Sequence, residues 1–134
     1  MISAVIITLN EEKYIGACLE QVQKVVDEII IVDAFSEDKT VKICEEYGAK
    51  VFQKEWVNFS WNKNFGNEQA KHDWILSIDA DEVLSNELVA TLKNFKPQEG
   101  IVYELDRIAQ YNGKWIKHSG WYPDWKERLF NRKD

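Results

Sequence analysis

Strand-like and helix-like patterns alternate four times along the first 96 residues, and this order restricts the fold more than any other feature. Short apolar runs rich in β-branched residues predict buried strands over residues 3–8, 28–32, 50–53 and 74–78. Apolar residues spaced three and four apart predict a helix after each strand. The alternation therefore predicts an α/β fold with a mostly parallel central sheet, covered by helices on both faces and joined by right-handed crossovers.

Local signals predict where the helices begin and end. Gly48 is expected to end the second helix as the residue just past its last turn. The third helix is predicted over residues 61–70, with Phe65 and Gln69 facing the core. The expected capping residues are Asn10 for the first helix, Ser36 or Asp38 for the second and Ser85 for the fourth.

After residue 96 the pattern changes. Segments 100–107 and 111–117 predict a hairpin around Tyr111-Asn112-Gly113, and residues 126–132 predict one more strand. Since neither a linker nor a repeat interrupts the sequence, we expect residues 1–134 to form a single domain.

Composition excludes several classes of protein. A chain of 134 residues with 45% hydrophobic and 30% charged residues is long enough to bury a core and is not typical of disorder. The net charge of −6 argues against nucleic acid as a partner. Cys18 and Cys44 lie within helical patterns, and neither a signal peptide nor an apolar membrane span is apparent, so we expect a cytoplasmic protein.

Polar residues follow the first, second and fourth predicted strands, where open α/β sheets bind their ligands. Carboxylates gathered at one edge repel one another unless a cation lies among them. In Asp79-Ala80-Asp81, one carboxylate can hold Mg²⁺ or Mn²⁺ while the other accepts hydrogen bonds from a ribose; the simpler explanation is that Asp81 or Glu82 caps the next helix. The collected residues are Thr8, Asn10, Glu11, Asp33, Ser36, Asp38, Asp79, Asp81 and Glu82.

Other α/β sites lack their motifs here. No glycine-rich turn follows the first strand, and neither a phosphate-binding P-loop nor a G-x-S-x-G nucleophile elbow occurs. His72 and His118 do not have zinc-ligand spacing with either cysteine.

Three segments together resemble the inverting family 2 glycosyltransferases of the GT-A fold, in particular the lipopolysaccharide-core β-glucosyltransferase subgroup. They are ISAVIITLNEE at 2–12, IIVDAFSEDKT at 30–40 and WILSIDADE at 74–82. The resemblance implies a nucleotide-sugar donor, commonly a UDP-hexose, with Mg²⁺ or Mn²⁺ as cofactor. It implies transfer to a hydroxyl of a saccharide or lipid-linked acceptor, with inversion, in bacterial cell-surface polysaccharide or lipopolysaccharide assembly.

The same resemblance divides the chain and assigns roles to residues. Residues 1–96 would bind the nucleotide sugar, and residues 97–134 would begin an acceptor-side part that continues in relatives, so the chain is expected to be truncated. Lys63 would lie near the nucleotide, or else be a solvated helix lysine. The implied roles are a nucleotide pocket lined by Thr8, Asn10 and Glu11, base contact by Asp33, ribose contact by Asp79 and metal binding by Asp81, with Ser36 a further substrate-binding candidate. Separately, the leaving diphosphate needs a cation to stabilise it, for which Arg128 and Arg132 are candidates because the planar guanidinium suits phosphate.

An inverting transfer also needs a general base for the acceptor hydroxyl. Asp124 and Glu127, the acids within residues 111–133, are the candidates; otherwise the base lies downstream of residue 134. If the arginines do not bind phosphate, they are expected to pair with these two acids at the surface. The nearby aromatic residues form either an acceptor groove or the packing of the hairpin: Tyr111, Trp115, Trp121, Tyr122 and Trp125.

One motif position departs from the family pattern. Relatives usually carry Asp or Ser and then Gly after the residue matching Asp33, whereas this chain has Ala34 and Phe35. The Phe35 ring could cover the base or restrict the turn.

The sequence is also compatible with two other functions: a nucleotide-sugar-binding module without turnover, and a nucleotidyltransferase, which the missing glycine-rich turn disfavours. Exposed aromatic residues would favour a homo-oligomer. Membrane association is expected to be peripheral at most, at the inner face of the cytoplasmic membrane.

Overall fold

A computed structural model describes residues 1–96 and 129–133 with their side chains, and the backbone at 103–105, 110–111, 114–115 and 126–128. None of the helices in these regions is long and apolar enough to cross a membrane. The elements, in chain order, are β1 (Ile2–Thr8), α1 (Ile15–Val22), β2 (Glu28–Asp33), α2 (Thr40–Glu46), β3 (Lys50–Gln53), α3 (Phe59–Gln69), β4 (Trp74–Ser77), β5 (Glu82–Val83), α4 (Asn86–Lys93), β6 (Tyr103–Leu105), β7 (Gln110–Tyr111), β8 (Lys114–Trp115) and β9 (Lys126–Asn131).

The main sheet has six strands in the order β3-β2-β1-β4-β9-β6. Strands β3, β2, β1 and β4 are parallel, and β9 pairs antiparallel with both β4 and β6. The predicted α/β class with a mostly parallel sheet is confirmed. Because the chain passes from β1 outward to β3 and then returns to the other side of β1 for β4, the topological switch lies between β1 and β4.

Strands β1 and β2 are apolar on both faces because helices cover both. On one face, Ala4, Ile6 and Ile31 pack with residues of α1, α2 and α4 in the larger core cluster. On the other face, Val5 and Ile30 belong to a smaller cluster on the side that α3 covers. This two-sided burial explains why these strands read as continuous apolar runs rather than as alternating patterns.

Two predicted helix boundaries are confirmed. Gly48 has a φ of 77°, and its N–H donates to the Glu45 carbonyl at 3.0 Å. The N–H of Ala49 donates to the Cys44 carbonyl at 3.1 Å, which completes a Schellman motif at the end of α2. Ser85 caps α4, since its hydroxyl accepts from the Leu88 N–H at 3.1 Å.

Two other helix predictions are wrong. Helix α1 begins at Ile15 rather than after Asn10, whose φ of 52° lies in the left-handed region. In α3, Phe65 is only half-buried, and Gln69 is likewise not part of the buried face, which consists of Asn62, Lys63 and Gly66.

The C-terminal strands are arranged differently from the predicted hairpin. The observed hairpin pairs β7 with β8, and β7 also pairs with β5, which forms a second, three-stranded sheet. Segment 103–105 pairs with β9 instead. The strand predicted at residues 126–132 is confirmed as β9. Residues 112 and 113 of the predicted turn lie outside the described residues.

Helix α3 approaches the sheet closely at Gly66, and this generates a stability prediction. A Cβ atom there would lie 2.5 Å from Val5 Cγ1 and 3.0 Å from Val32 Cγ2, both on fully buried side chains. We expect Gly66→Ala to destabilise the protein, because overpacking of ~1–3 kcal/mol exceeds the ~1 kcal/mol that alanine gains in a helix. Urea denaturation measures the free energy of unfolding.

Gly16→Ala in α1 is the matched control, since its Cβ would lie 3.9 Å from Ile43 Cγ2, an ordinary contact. This variant should be as stable as the parent or more stable. An equal gain in both variants would contradict the close packing of α3.

Candidate functional site

The loops after β1, β2 and β4 meet at one edge of the sheet. Thr8, at the end of β1, pairs in register with Asp33 at the end of β2. On the other side of β1, Val5 pairs with Ser77, and the Ile78 N–H donates to the Val5 carbonyl at 3.4 Å. The structure therefore brings together the three strand ends from which the candidate residues were collected.

Four side chains of the segment after β2 hold the loop after β1. They belong to the segment IIVDAFSEDKT at 30–40, in which they form the pattern V-D-x-x-S-x-D-x-T, and each bonds a different residue between 8 and 12. Asp33 Oδ1 accepts from Thr8 Oγ1 at 2.7 Å, Ser36 Oγ from the Asn10 N–H at 2.8 Å, Thr40 Oγ1 from the Glu11 N–H at 2.8 Å and Asp38 Oδ2 from the Glu12 N–H at 3.2 Å.

The loop after β1 also bonds back. Asn10 Oδ1 accepts from the Glu37 N–H at 2.8 Å, and the Thr8 carbonyl accepts from the Ala34 N–H at 2.9 Å. Asn10 thus uses its side chain across the two loops, which explains why it does not cap α1. Together these hydrogen bonds fix the relative position of the two loops.

Asp33 is fully buried, and both oxygens of its carboxylate accept hydrogen bonds from the protein. Besides Thr8, Oδ1 accepts from Ser36 Oγ at 2.6 Å, and Oδ2 accepts from the Ser36 N–H at 2.8 Å and from Gln53 Nε2 at 3.3 Å. The predicted base contact of Asp33 stays a prediction. A base that reached this carboxylate would have to displace one of these hydrogen bonds.

The segment after β4 forms a turn closed from both sides. The Glu82 N–H donates to the Asp79 carbonyl at 3.0 Å, and the Asp79 N–H donates to Glu82 Oε1 at 2.7 Å. Glu82 is buried, and the cap of α4 is Ser85, so the expectation that Asp81 or Glu82 caps this helix is wrong. The role of Glu82 in closing the turn was missed, because an acidic residue beside an Asp pair reads as one more ligand.

Carboxylates from all three loops act on one another. The pKa of Glu11 is raised above its ordinary 4.5, first by partial burial and then by the negative charges of Asp81, Asp38 and Asp79. The long-range effect of Asp79 and Asp81 on Glu11 indicates that the acidic groups after β1 and β4 lie near each other. Negative charge is therefore concentrated at this end of the sheet, where a cation would reduce the repulsion.

The arrangement fits a divalent cation that is only partly held by protein. Within the described residues, no group of three or more His, Cys, Asp or Glu side chains is arranged to hold a metal ion. Mg²⁺ is commonly bound through one or two carboxylates and completed by water and substrate phosphates. Asp79 and Asp81, which follow β4, are the residues that could supply hard oxygen donors of this kind.

Lys63 lies beneath the site rather than in solvent. It is buried, and its Nζ donates to the carbonyls of Val5 at 3.1 Å and Ile78 at 3.2 Å. The alternative of a solvated helix lysine is therefore wrong. Lys63 links β1 to the end of β4 at the topological switch, and its predicted contact with a nucleotide stays a prediction.

Arg132 lies at the opposite end of β4 from the candidate site, so the structure does not bring it to the position predicted for the diphosphate. Its guanidinium donates to the carbonyls of Asn67 at 2.7 Å and Ala70 at 2.6 Å, at the C-terminus of α3, and it pairs with Asp73 at 3.3 Å. Asp79 follows Asp73 by six positions, which is roughly 20 Å along an extended strand. The antiparallel direction of β9 causes this placement.

The remaining predicted residues are described in part or not at all. Because Leu129 pairs with Leu76, the backbone of Glu127 and Arg128 follows β9 toward the candidate-site end of β4. Their roles stay predictions. Asp124, Trp121, Tyr122 and Trp125 lie outside the described residues.

The family model of glycosyl transferase family 2 matches residues 3–134. The chain belongs to this family. An uncharacterized glycosyltransferase of Rickettsia typhi is 35% identical over 133 residues, which are 96% of this chain and 42% of the relative. The lipopolysaccharide core biosynthesis glycosyltransferase LpsC of Rhizobium meliloti is 37% identical over 92 residues, 65% of this chain and 34% of LpsC. The chain thus spans less than half the length of either relative.

Among solved structures, S. aureus TarS 1-349 in complex with UDP-GlcNAc matches with a TM-score of 0.56 and 30% identity, covering 66% of this chain and 29% of TarS. This likeness, together with the sheet order, confirms the expected GT-A fold.

The contacts of Arg132 predict a structural effect. We expect Arg132→Ala to lower the free energy of unfolding by about 1–3 kcal/mol, because two helix-end carbonyls lose a charged donor. Lys133→Ala is the matched control, since Lys133 reaches Asp73 at 3.4 Å but its side chain is 72% exposed, and it should change stability by about 0.5 kcal/mol or less. Equal losses in both variants would contradict the capping role.

The raised pKa of Glu11 predicts a pH-dependent effect in the absence of divalent cations. Below its ordinary pKa of 4.5, the carboxyl is protonated in both the folded and the unfolded protein. As the pH rises through the raised pKa, the parent loses stability relative to Glu11→Gln, which carries no charge. We expect the variant to melt a few degrees higher near pH 7 and the difference to vanish near pH 4.

Thermal melts in EDTA across this pH range measure the effect. Glu12→Gln, at an exposed neighbouring position, is the control and should give the smaller difference. A Glu11→Gln variant that is less stable near pH 7 would contradict the repulsion among these carboxylates.

Proposed function

We propose that the chain is the donor-binding domain of a metal-dependent, inverting glycosyltransferase. It would transfer a hexose from a UDP-sugar to a hydroxyl of a saccharide or lipid-linked acceptor. The observation that supports the proposal is that the loops carrying Glu11, Asp79 and Asp81 follow neighbouring parallel strands, at the topological switch of a family 2 domain. The likeness to TarS, whose matching structure is a complex with UDP-GlcNAc, supports the choice of nucleotide.

The proposed donor site uses residues 1–96. The hydrogen-bonded loops after β1 and β2 would form one side of the nucleoside pocket. Its lining residues would be Thr8, Asn10, Glu11 and Ser36. Asp79 would accept hydrogen bonds from the ribose hydroxyls, and Asp81 would hold Mg²⁺ or Mn²⁺. When bound, the ion supplies positive charge that neutralises the diphosphate of the donor.

Transfer requires a base on the acceptor side. A carboxylate takes the proton of the acceptor hydroxyl, the oxygen attacks the anomeric carbon, and the bond to the diphosphate oxygen breaks. Glu127 and Asp124 are the candidates within this chain. Arg128, whose backbone lies in β9, would stabilise the departing diphosphate through its planar guanidinium.

The likeness to LpsC supports a role in bacterial cell-surface polysaccharide or lipopolysaccharide assembly. Nucleotide sugars are donors inside the cell, so we place the reaction in the cytoplasm, at the inner face of the membrane when the acceptor is lipid-linked.

Metal-dependent nucleotide binding tests the proposal. We expect calorimetric titration to show UDP binding at least about tenfold tighter with Mn²⁺ than in EDTA, since neutralising a diphosphate–carboxylate contact changes binding by more than about 1.4 kcal/mol. Asp81→Asn should remove the dependence on Mn²⁺. Glu68→Gln, at an exposed position on α3, is the control and should bind like the parent.

Equal affinity with Mn²⁺ and in EDTA would contradict the metal assignment. Release of UDP from UDP-glucose in the presence of Mn²⁺ separates catalysis from binding. Binding without release would favour the alternative of a module without turnover.

A further inference from the structure

Phe35 combines two features that do not stabilise the fold. Its φ of 61° lies in the left-handed region, which disfavours any residue with a Cβ and suits glycine. Its side chain is 52% exposed. Stability alone would therefore favour glycine at this position, and retention of a strained, exposed aromatic residue points to a role outside the fold.

The neighbours of Phe35 impose this conformation. On one side, the Ala34 N–H donates to the Thr8 carbonyl at 2.9 Å. On the other, the N–H and hydroxyl of Ser36 both donate to the buried carboxylate of Asp33. Because the chain is fixed on both sides, the backbone at Phe35 is held in one orientation rather than left to adapt.

The adjoining loop repeats the arrangement. Asn10 also has a left-handed φ, and its N–H donates to Ser36 Oγ at 2.8 Å. Leu9, next to it, is 50% exposed. Each of these exposed apolar side chains, Leu9 and Phe35, stands one residue from the same hydrogen bond between the loops. The loops after β1 and β2 thus each contribute one exposed apolar side chain beside this hydrogen bond.

The Asp33 carboxylate, which lies beneath these loops, is already hydrogen-bonded within the protein. The Asp33 carboxylate accepts four hydrogen bonds from Thr8, Ser36 and Gln53 and is inaccessible to solvent. A planar ligand that settles over the ends of β1 and β2 would therefore meet an aromatic ring more readily than a free carboxylate. Nucleobases are planar and offer a π-face for which an aromatic ring is a suitable partner.

We propose that Phe35 is a donor-binding residue whose ring packs against the nucleobase, so that it determines the preference of the site for a nucleotide over a base-free diphosphate. This inference rests on the proposed function. Stacking of a base on an aromatic ring typically changes affinity by about five- to 150-fold. The strain at Phe35 is retained because the ring contributes to binding rather than to stability.

Phe35→Gly separates the two roles, since it relieves the strain and removes the ring. We expect its melting temperature to equal or exceed that of the parent, and its affinity for UDP with Mn²⁺ to fall about tenfold or more. Affinity for inorganic pyrophosphate with Mn²⁺ should not change. Phe35→Tyr keeps the ring and should keep the affinity for UDP. Trp56→Ala, which removes a similarly exposed aromatic ring, is the control and should bind UDP like the parent.

The outcomes distinguish this inference from the proposed function. A parent chain that binds neither UDP nor pyrophosphate with Mn²⁺ overturns both. A parent that binds UDP while Phe35→Gly binds it equally well overturns the role of Phe35 alone. The same holds if Phe35→Gly weakens UDP and pyrophosphate alike, or if Phe35→Tyr melts like the parent and loses UDP as fully as the glycine variant.

Discussion

Four hydrogen bonds between the loops after β1 and β2 determine the geometry of the candidate site. They join Asp33, Ser36, Asp38 and Thr40 to the residues 8–12 that follow β1. Each bond contributes about 1 kcal/mol net. Together they hold the loop that carries Glu11, whose pKa is raised by partial burial and then by the charges of Asp81, Asp38 and Asp79. The pairing of β1 with β2 and β4 brings the strand ends together, and these four hydrogen bonds then fix the loops that follow β1 and β2. These four side chains therefore hold the loops in place, in addition to any contact that they make with a ligand.

The sequence predicts the sheet well and the loops less well, for physical reasons. Strands β1 and β2 are buried on both faces, so burial alone selects continuous apolar β-branched runs that are easy to recognise. Asn10 was misread because a residue suited to helix capping can equally satisfy a backbone N–H that is distant in sequence, here that of Glu37. The inward face of α3 was predicted wrongly because its residues at the sheet are small or polar. Gly66 allows the helix to approach β1 and β2 closely, and Lys63 donates hydrogen bonds to two carbonyl groups.

Direction is the other quantity that local patterns do not contain. Residues 126–132 read correctly as a strand, yet only pairing of Leu129 with Leu76 reveals that β9 runs antiparallel to β4. That direction carries Arg132 away from the candidate site and Arg128 toward it, although both belong to one short segment. The motif residues of the site were predictable because they follow parallel strands, whose carboxyl ends lie together by topology. The contacts of Glu82 and Arg132 were not, since they depend on chain segments that meet only in the folded protein.

The position of β4 has a consequence for biosynthesis. Its partner on one side, β1, is made first, but its partner on the other side, β9, emerges more than fifty residues later. Until then a nascent chain on the ribosome carries an apolar strand with an unpaired edge, which is a template for association with other chains. Chaperone protection is therefore most valuable in the interval between synthesis of β4 and release of β9, at the very strand that ends in the Asp79–Asp81 turn.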